Sequence, residues 1–521
     1  MNYLQHNILI ILLLTTVLIK QVAWLGLVPM WHFPDEQAHF AQVQNIAEHG
    51  LETVSTSSDE IIWSEKLLKT FRDDRGNNSY TMHPEFNIPY TNTLEGLYES
   101  KLVNSSLESR KKGTISEATS YPFLYYWLDS QFYKTVFNSD LITRLFISRL
   151  FSVFLSLIIV YIAYEVGWRL FNKQLWAIGL AIMVGFHPML SFVNSGINSD
   201  VLFTTCFSLF LFGAAEIYSK KNKTGWIIVF LSILLGIVTK QQMVVAIALS
   251  LLLLFESRNY LRKLIRERIF LFLVTIPLCL VIVIIAGLVG ETQKIYTFIS
   301  SGWEYGQFQP ISLGDHIVWT VLHTYREVLP WYWGVFKWLS VTLPRWVNRI
   351  QMGILLVTAV GTLGYVYNLG KTYLTSKTIL SQDKIISFFL IANGGYFIAL
   401  LLWDWQFRQS HGFSFGMQGR YFFPLIISQM GIILYVLKKI GEMTLPKIVP
   451  QLILLGLPFW WVMLHTISLL TVAKSYYNLS SWHSFVIQAS QYKPQLFKGN
   501  WWLFWISLLI VSTLTFLFTY L

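Results

Sequence analysis

Apolar residues in this chain come in long unbroken runs rather than in the alternation of a half-buried strand or the stripe of a soluble amphipathic helix. A helix needs about 20 apolar residues to cross a bilayer. Such runs lie near 8–28, 145–166, 174–188, 201–218, 226–239, 242–255, 269–290, 351–369, 385–403, 421–437, 448–470 and 501–521. The pattern predicts an all-α polytopic membrane protein of about twelve spans. The pair 226–239 and 242–255 is short for two crossings. It reads as two short helices meeting at Thr239-Lys240-Gln241-Gln242 or as one long bent helix. The first run is long and has no small-residue cleavage site after it, so it reads as a span and not as a removed signal peptide.

Composition agrees with lipid as the main solvent. The 521 residues are 54% hydrophobic and 13% charged, with a mean hydropathy of +0.50; soluble domains carry about 25% charged residues. Aromatics make up 16%, including 21 Trp, which suits membrane interfaces and a cleft that contacts sugar or lipid. Cys206 and Cys279 both sit in apolar runs, which excludes a disulfide scaffold, a cysteine zinc site and an iron–sulfur protein.

Charge orients the spans. Alternate short loops hold Arg169 and Lys173; Lys220, Lys221 and Lys223; Arg258, Arg262, Lys263, Arg266 and Arg268; Lys371, Lys377 and Lys384; Lys438, Lys439 and Lys447. The other short loops hold few cations: 189–200 has none and 404–420 has Arg408 and Arg420. The basic set is read as cytoplasmic, which puts both termini inside and the long 29–144 segment outside. The net charge of +11 therefore marks topology and implies no nucleic acid. Residues 29–120 carry 14 acidic and 8 basic residues, so half of the 28 acids lie in one external loop. Residues 51–120 read as an irregular external lobe, and the aromatic stretches 121–138 and 291–349 as helices lying in the interface. The organisation expected is a catalytic module over 1–470, with external loops 29–144 and 291–349, followed by an external loop and last span over 471–521.

Four stretches carry candidate chemistry. In Trp31-His32-Phe33-Pro34-Asp35-Glu36-Gln37-Ala38-His39-Phe40 the proline predicts a helix over 34–49, with Asp35 and Glu36 in its first turn and His39 on the face of Asp35. Plain helix capping accounts for the same acids. The loop Asn194-Ser195-Gly196-Ile197-Asn198-Ser199-Asp200 can hold a polar ligand through Asn198 and Asp200, or be ordinary turn chemistry. Lys240 between two apolar runs is costly unless paired; it either snorkels or meets an anionic headgroup. Arg420, in Gln418-Gly419-Arg420-Tyr421-Phe422-Phe423-Pro424, can fork onto a phosphate or anchor a span in headgroups. Arg326 in Tyr325-Arg326-Glu327 belongs to the same external layer or is a surface pair. No Walker A loop, His-Glu-x-x-His or Gly-x-Ser-x-Gly occurs. No His or Asp spacing argues for a metal, although a divalent ion is compatible with the external His and Asp residues.

Five motifs in this order, Pro-Asp-Glu-x-x-His-Phe after the first span, Tyr121-Pro122, Asn198-x-Asp200, Thr239-Lys240 and Gln-Gly-Arg-Tyr-x-x-Pro, resemble a widespread group of predicted bacterial membrane proteins long filed as a domain of unknown function. That group is similar to the GT-C glycosyltransferases, which include protein O-mannosyltransferases, the aminoarabinose transferase of lipid A and oligosaccharyltransferase catalytic subunits. The match covers about residues 8 to 437, and Gln37 departs from it where the group often has a second proline. The resemblance implies a GT-C type enzyme of a bacterial plasma membrane, active on the extracytoplasmic side. It implies a polyprenyl-phosphate sugar donor and an envelope glycan, lipid or protein acceptor. By this resemblance Asp35 is the general base, supported by Glu36 and His39. Lys240, Arg326 and Arg420 are the cations expected at the leaving phosphate. A transporter or flippase for lipid-linked glycans is the alternative from another class. It leaves unexplained an acidic pair in a large first loop, and no paired broken helices are evident in two halves.

Overall fold

The computed structural model describes residues 3–51, 56–68, 88–110, 118, 121–220, 222–256, 311–376, 379–444, 446 and 448–520. The run at 269–290, Trp303, the cations 258–268, Lys377 and Lys447 lie outside the described residues.

The described chain is helical. In order it forms α1 (Tyr3–Leu27), α2 (Glu36–His49), α3 (Asp59–Leu68), α4 (Glu99–Val103), α5 (Leu124–Thr135), α6 (Leu141–Phe171), α7 (Gln174–Gly185), α8 (Pro188–Val193), α9 (Ser199–Lys220), α10 (Lys223–Ile237) and α11 (Val244–Glu256). After residue 310 come α12 (Leu313–His323), a π-helical turn at Thr324–Val328 and α13 (Leu329–Trp333). A two-stranded antiparallel hairpin follows, with β1 (Val335–Phe336) paired to β2 (Val341–Thr342). The chain ends in α14 (Arg345–Ser376), α15 (Ser381–His411), α16 (Ile426–Thr444), α17 (Ile448–Tyr476), α18 (Trp482–Ser490) and α19 (Trp501–Tyr520).

Among the described residues eight helices are long and apolar enough to cross a membrane: α1, α6, α9, α14, α15, α16 with its preceding turn, α17 and α19. Three shorter apolar helices, at 174–185, 223–237 and 241–255, stand where the sequence pattern places further runs. Two short helices do meet at Lys240, through a 3-10 turn at Gln241–Met243, and no single bent helix forms there. The apolar stretch of α9 is 83% buried and that of α6 67%, against 11% for α14 and for α19. With the span at Gly419–Met443, whose apolar stretch is 72% buried, this pair forms the centre of the bundle, and the outer helices turn most of their side chains outward.

Charged groups pin the apolar centre to the loops. Arg144 of α6 forks onto Glu60 of α3 at 2.9 and 2.8 Å, with both side chains fully buried. Lys20 of α1, also fully buried, donates to Ser191 of α8 at 2.7 Å and to Gln21 at 2.8 Å. At the other end of α6, Arg169 bridges Glu165 and Glu216. Burying an unpaired charge costs several kcal/mol, so each of these contacts also fixes a register.

The aromatic stretch after Tyr121 forms α5 as expected for a short non-spanning helix, with Tyr125, Tyr126, Asp129 and Tyr133 inward and Trp127 outward. The segment after residue 470 folds back on the long loop between α1 and α6: Gln491 donates to the Thr91 and Thr93 carbonyls at 2.9 Å each, and Lys498 pairs with Glu99. One local expectation fails. The helix expected over 34–49 starts at Glu36, because Asp35 adopts a left-handed conformation (φ 55°, ψ 22°) that no helix turn can contain. Pro34 therefore lies outside the helix and Asp35 is not a first-turn acid.

Candidate active site

The turn between α1 and α2 carries two left-handed residues, Trp31 (φ 64°) and Asp35 (φ 55°). Asp tolerates this conformation better than most side chains, and such backbone persists where its surroundings over-determine it. Arg149 of α6 does so here. Its guanidinium donates to the carbonyls of Leu25 (3.1 Å), Val28 (3.0 Å) and Pro29 (2.9 Å) and to both Glu36 oxygens (2.7 Å each). These contacts satisfy carbonyls left open at the end of α1. Glu36 also accepts from the Trp31 amide at 3.0 Å. Glu36, expected on the substrate, is fully buried with both oxygens engaged inside the chain, so its place is in the scaffold.

Asp35 differs from its neighbour. Its side chain is 32% exposed and makes no capping bond; Oδ2 accepts from Nη2 of Arg420 at 2.7 Å, across 385 residues of sequence. Arg420 is 7% exposed, and its Nε and Nη1 have no hydrogen-bond partner among the described residues. The guanidinium is thus half-used, with buried donors left over.

A second ion pair stands in the same neighbourhood, between Lys240 at the α10–α11 junction and Asp200 at the start of α9. The Lys240 ammonium lies 5.3 Å from the Tyr121 ring centroid. His39 joins the two pairs. It stacks on Tyr121 (5.7 Å, 27°) and Tyr126 (5.8 Å, 18°), and its Nδ1 is 2.8 Å from the Tyr126 hydroxyl. Burial holds its imidazole down at about 4; Asp35 and Asp200 pull the other way, while Lys240 and Arg420 add to the depression. His39 is consequently neutral near pH 7.

Two glycines let the loops meet. A Cβ on Gly419 would lie 2.2 Å from the Tyr332 backbone nitrogen, so only glycine brings Arg420 this close to α13. A Cβ on Gly196 would lie 2.4 Å from Cβ of Phe33, which fixes the 194–200 loop against the Asp35 turn. Asn198 seals that contact. Its Nδ2 donates to the Pro34 carbonyl at 3.2 Å and its Oδ1 accepts from the Asp200 amide at 2.8 Å. Asn198, expected on the substrate, is therefore committed at both ends of its amide, and turn chemistry describes it better.

Of the residues singled out from sequence, Asp35, His39, Asp200, Lys240 and Arg420 come together, with Asn198 and Glu36 behind them. Arg326 does not join them; it is exposed on the π-helical turn, where none of the contacts holding the cluster involves it. Arg149, Tyr121 and Tyr126 are added by the structure. Arg149 had a sequence signal, a cation inside an otherwise apolar helix, and Tyr121 sits in one of the ordered motifs. Nothing local marks Tyr126. Among the described residues no group of three or more His, Cys, Asp or Glu could hold a metal ion.

The arrangement offers a half-exposed carboxylate, two cations and a neutral imidazole beside tyrosine rings. That set can accept a proton and hold a phosphate.

Several known structures align with this chain at low identity. ArnT from Cupriavidus metallidurans in the apo state aligns over 96% of this chain and 76% of its own, at 11% identity and a TM-score of 0.41. The same protein bound to undecaprenyl phosphate aligns over 95% and 75%, at 12% identity and a TM-score of 0.39. The Archaeoglobus fulgidus oligosaccharyltransferase in the apo form aligns over 91% of this chain and 56% of its own, at 12% identity and a TM-score of 0.46. No curated protein matches in sequence. The model of the family described as Predicted membrane protein (DUF2142) matches residues 18–428, and the chain belongs to that family.

Proposed function

We propose that this family member is a GT-C type glycosyltransferase of a bacterial plasma membrane, working on the extracytoplasmic side with a polyprenyl-phosphate sugar as donor. The observation that carries the reading is the meeting of Asp35 and Arg420 across 385 residues, with His39 and the Asp200–Lys240 pair beside them. Four of the five ordered motifs contribute a side chain directly to this one cluster, and Tyr121 of the fifth lines it. A scaffold alone has no use for a half-exposed carboxylate opposite a half-used buried guanidinium.

In this mechanism an acceptor hydroxyl attacks the anomeric carbon while its proton passes to Asp35. The bond from that carbon to the phosphate oxygen breaks, and the carrier phosphate leaves with added negative charge. Arg420, through the Nε and Nη1 that have no partner among the described residues, and Lys240 are the donors for that charge. A single displacement inverts the anomeric centre. One carboxylate suffices because a phosphate, unlike a sugar alkoxide, leaves without protonation. His39, being neutral, adds no positive charge beside the base. The acceptor is an envelope glycan, lipid or protein.

The test is Asp35→Asn in the purified full chain, given an undecaprenyl-phosphate sugar and envelope extract as acceptor. We expect a fall in transfer of about 10²-fold or more, the usual contribution of a general base. An unchanged rate would end the assignment. Carrier movement across vesicles without any covalent product would favour the transporter instead.

A further inference from the structure

The last carbonyls of α1 are claimed from two directions. Arg149 takes those of Leu25, Val28 and Pro29. The two between them belong to the C-terminal segment: Nζ of Lys493, 2% exposed, donates to the Gly26 carbonyl and to that of Leu27 at 3.2 Å. Tyr477 donates its hydroxyl to the same Leu27 carbonyl at 2.5 Å and in turn accepts from Lys493 at 2.8 Å. Five successive carbonyls, 25 to 29, are thus held by one guanidinium, one amine and one phenol.

We propose that Lys493 and Tyr477 complete a clasp, with Arg149 and Glu36, that sets the position of Asp35. They are positioning residues: they touch the turn and leave the reacting atoms to Asp35 and its partners. The inference rests on the base role of Asp35 argued above and extends it to residues 471–498, which lie beyond the family match at 18–428. Three features carry it. The amine and the phenol meet the same carbonyl while Arg149 holds its neighbours. Trp31 and Asp35, the left-handed residues, lie just downstream, so freedom at 26–29 is transmitted to them without an intervening helix. The segment is itself anchored at Gln491 and Lys498, so Lys493 is presented from a fixed frame. A reacting carboxylate displaced by about 1 Å can lose about a hundredfold in rate.

The experiment compares Lys493→Met, Lys493→Arg and the milder Tyr477→Phe with the unaltered full chain. Backbone amide exchange is followed at residues 30–36 and within α6. Envelope glycan is followed in cells carrying each form as the only copy, and undecaprenyl phosphate affinity on purified protein. Lys493→Met is expected to raise exchange at 30–36 about tenfold with α6 unchanged. It should lower glycan transfer and leave undecaprenyl phosphate affinity as it was; Lys493→Arg should restore both. Tyr477→Phe should show the same pattern more weakly, which keeps the test open if Lys493→Met does not fold. Unchanged exchange at 30–36 in the folded variants overturns the clasp. Raised exchange with normal glycan overturns its link to Asp35. If Asp35→Asn also leaves glycan normal, the transferase reading falls, while the exchange result still judges the clasp.

Discussion

At the residue scale, the two neighbours Asp35 and Glu36 have opposite fates. Glu36 is sealed against Arg149 and Asp35 opens toward Arg420, because the left-handed turn at 35 points the successive side chains apart. Titration of His39 gives a test of the site's burial. Its folded value of about 4 lies below the ordinary 6.5. Between those limits the unfolded chain takes up a proton that the folded chain refuses. The stability His39 contributes is therefore complete above about pH 6.5 and drains away as pH falls toward 4, by at most about 3 kcal/mol. Thermal melts of His39→Gln and the unaltered chain between pH 4 and 8 should differ in slope across that window, the variant being flatter. Parallel curves would mean that His39 is solvated.

At the element scale, the short connections do the assembling. Asp200 and Lys240 each sit where a buried helix begins or two short ones join, and Arg420 follows a glycine pressed on α13. Gly419→Ala should cost about 1–3 kcal/mol through overpacking and abolish the Asp35–Arg420 contact. Gly353→Ala on α14, where a Cβ meets nothing within 4 Å, should be neutral or slightly stabilising. Equal melting temperatures and equal activity for the two variants would refute the close-approach argument. This is also where sequence legibility stops. Runs of apolar residues reveal helices because lipid demands them, and ordered motifs reveal Asp35, Asp200, Lys240 and Arg420 because each interrupts such a run or lies beside one of its ends. Neither signal says which carboxylate stays exposed. Arg149 and Glu36 pair across 113 positions, a relation no local pattern encodes, so Glu36 looks like a ligand until its partner is seen. The same holds for Asn198, whose amide is consumed by Pro34 and Asp200. The helix start differs from the sequence expectation for a further reason: Pro34 suits a first helical position on average, and tertiary contacts to Arg149 outweigh that preference.

At the scale of the whole molecule, the chain is a bundle whose inner helices are pinned to their neighbours by buried charges and whose outermost long helices, α14 and α19, are the least buried. One pin has a consequence for how the protein is made. Lys20 lies about 10 Å before the C-terminal end of α1 by helix rise, and its hydroxyl partner Ser191 is 171 positions later in the chain. A ribosome delivers α1 to the insertion machinery long before α8 exists. Until then the lysine faces either lipid, at about 3 kcal/mol near a helix centre, or the machinery itself. The first span should therefore linger at the insertion site until the chain has grown past residue 193. Nascent chains stalled at residue 180 should crosslink there through α1, and chains stalled at 230 should not. Lys20→Leu should release the span early, and crosslinking that ignores chain length would show that α1 departs alone.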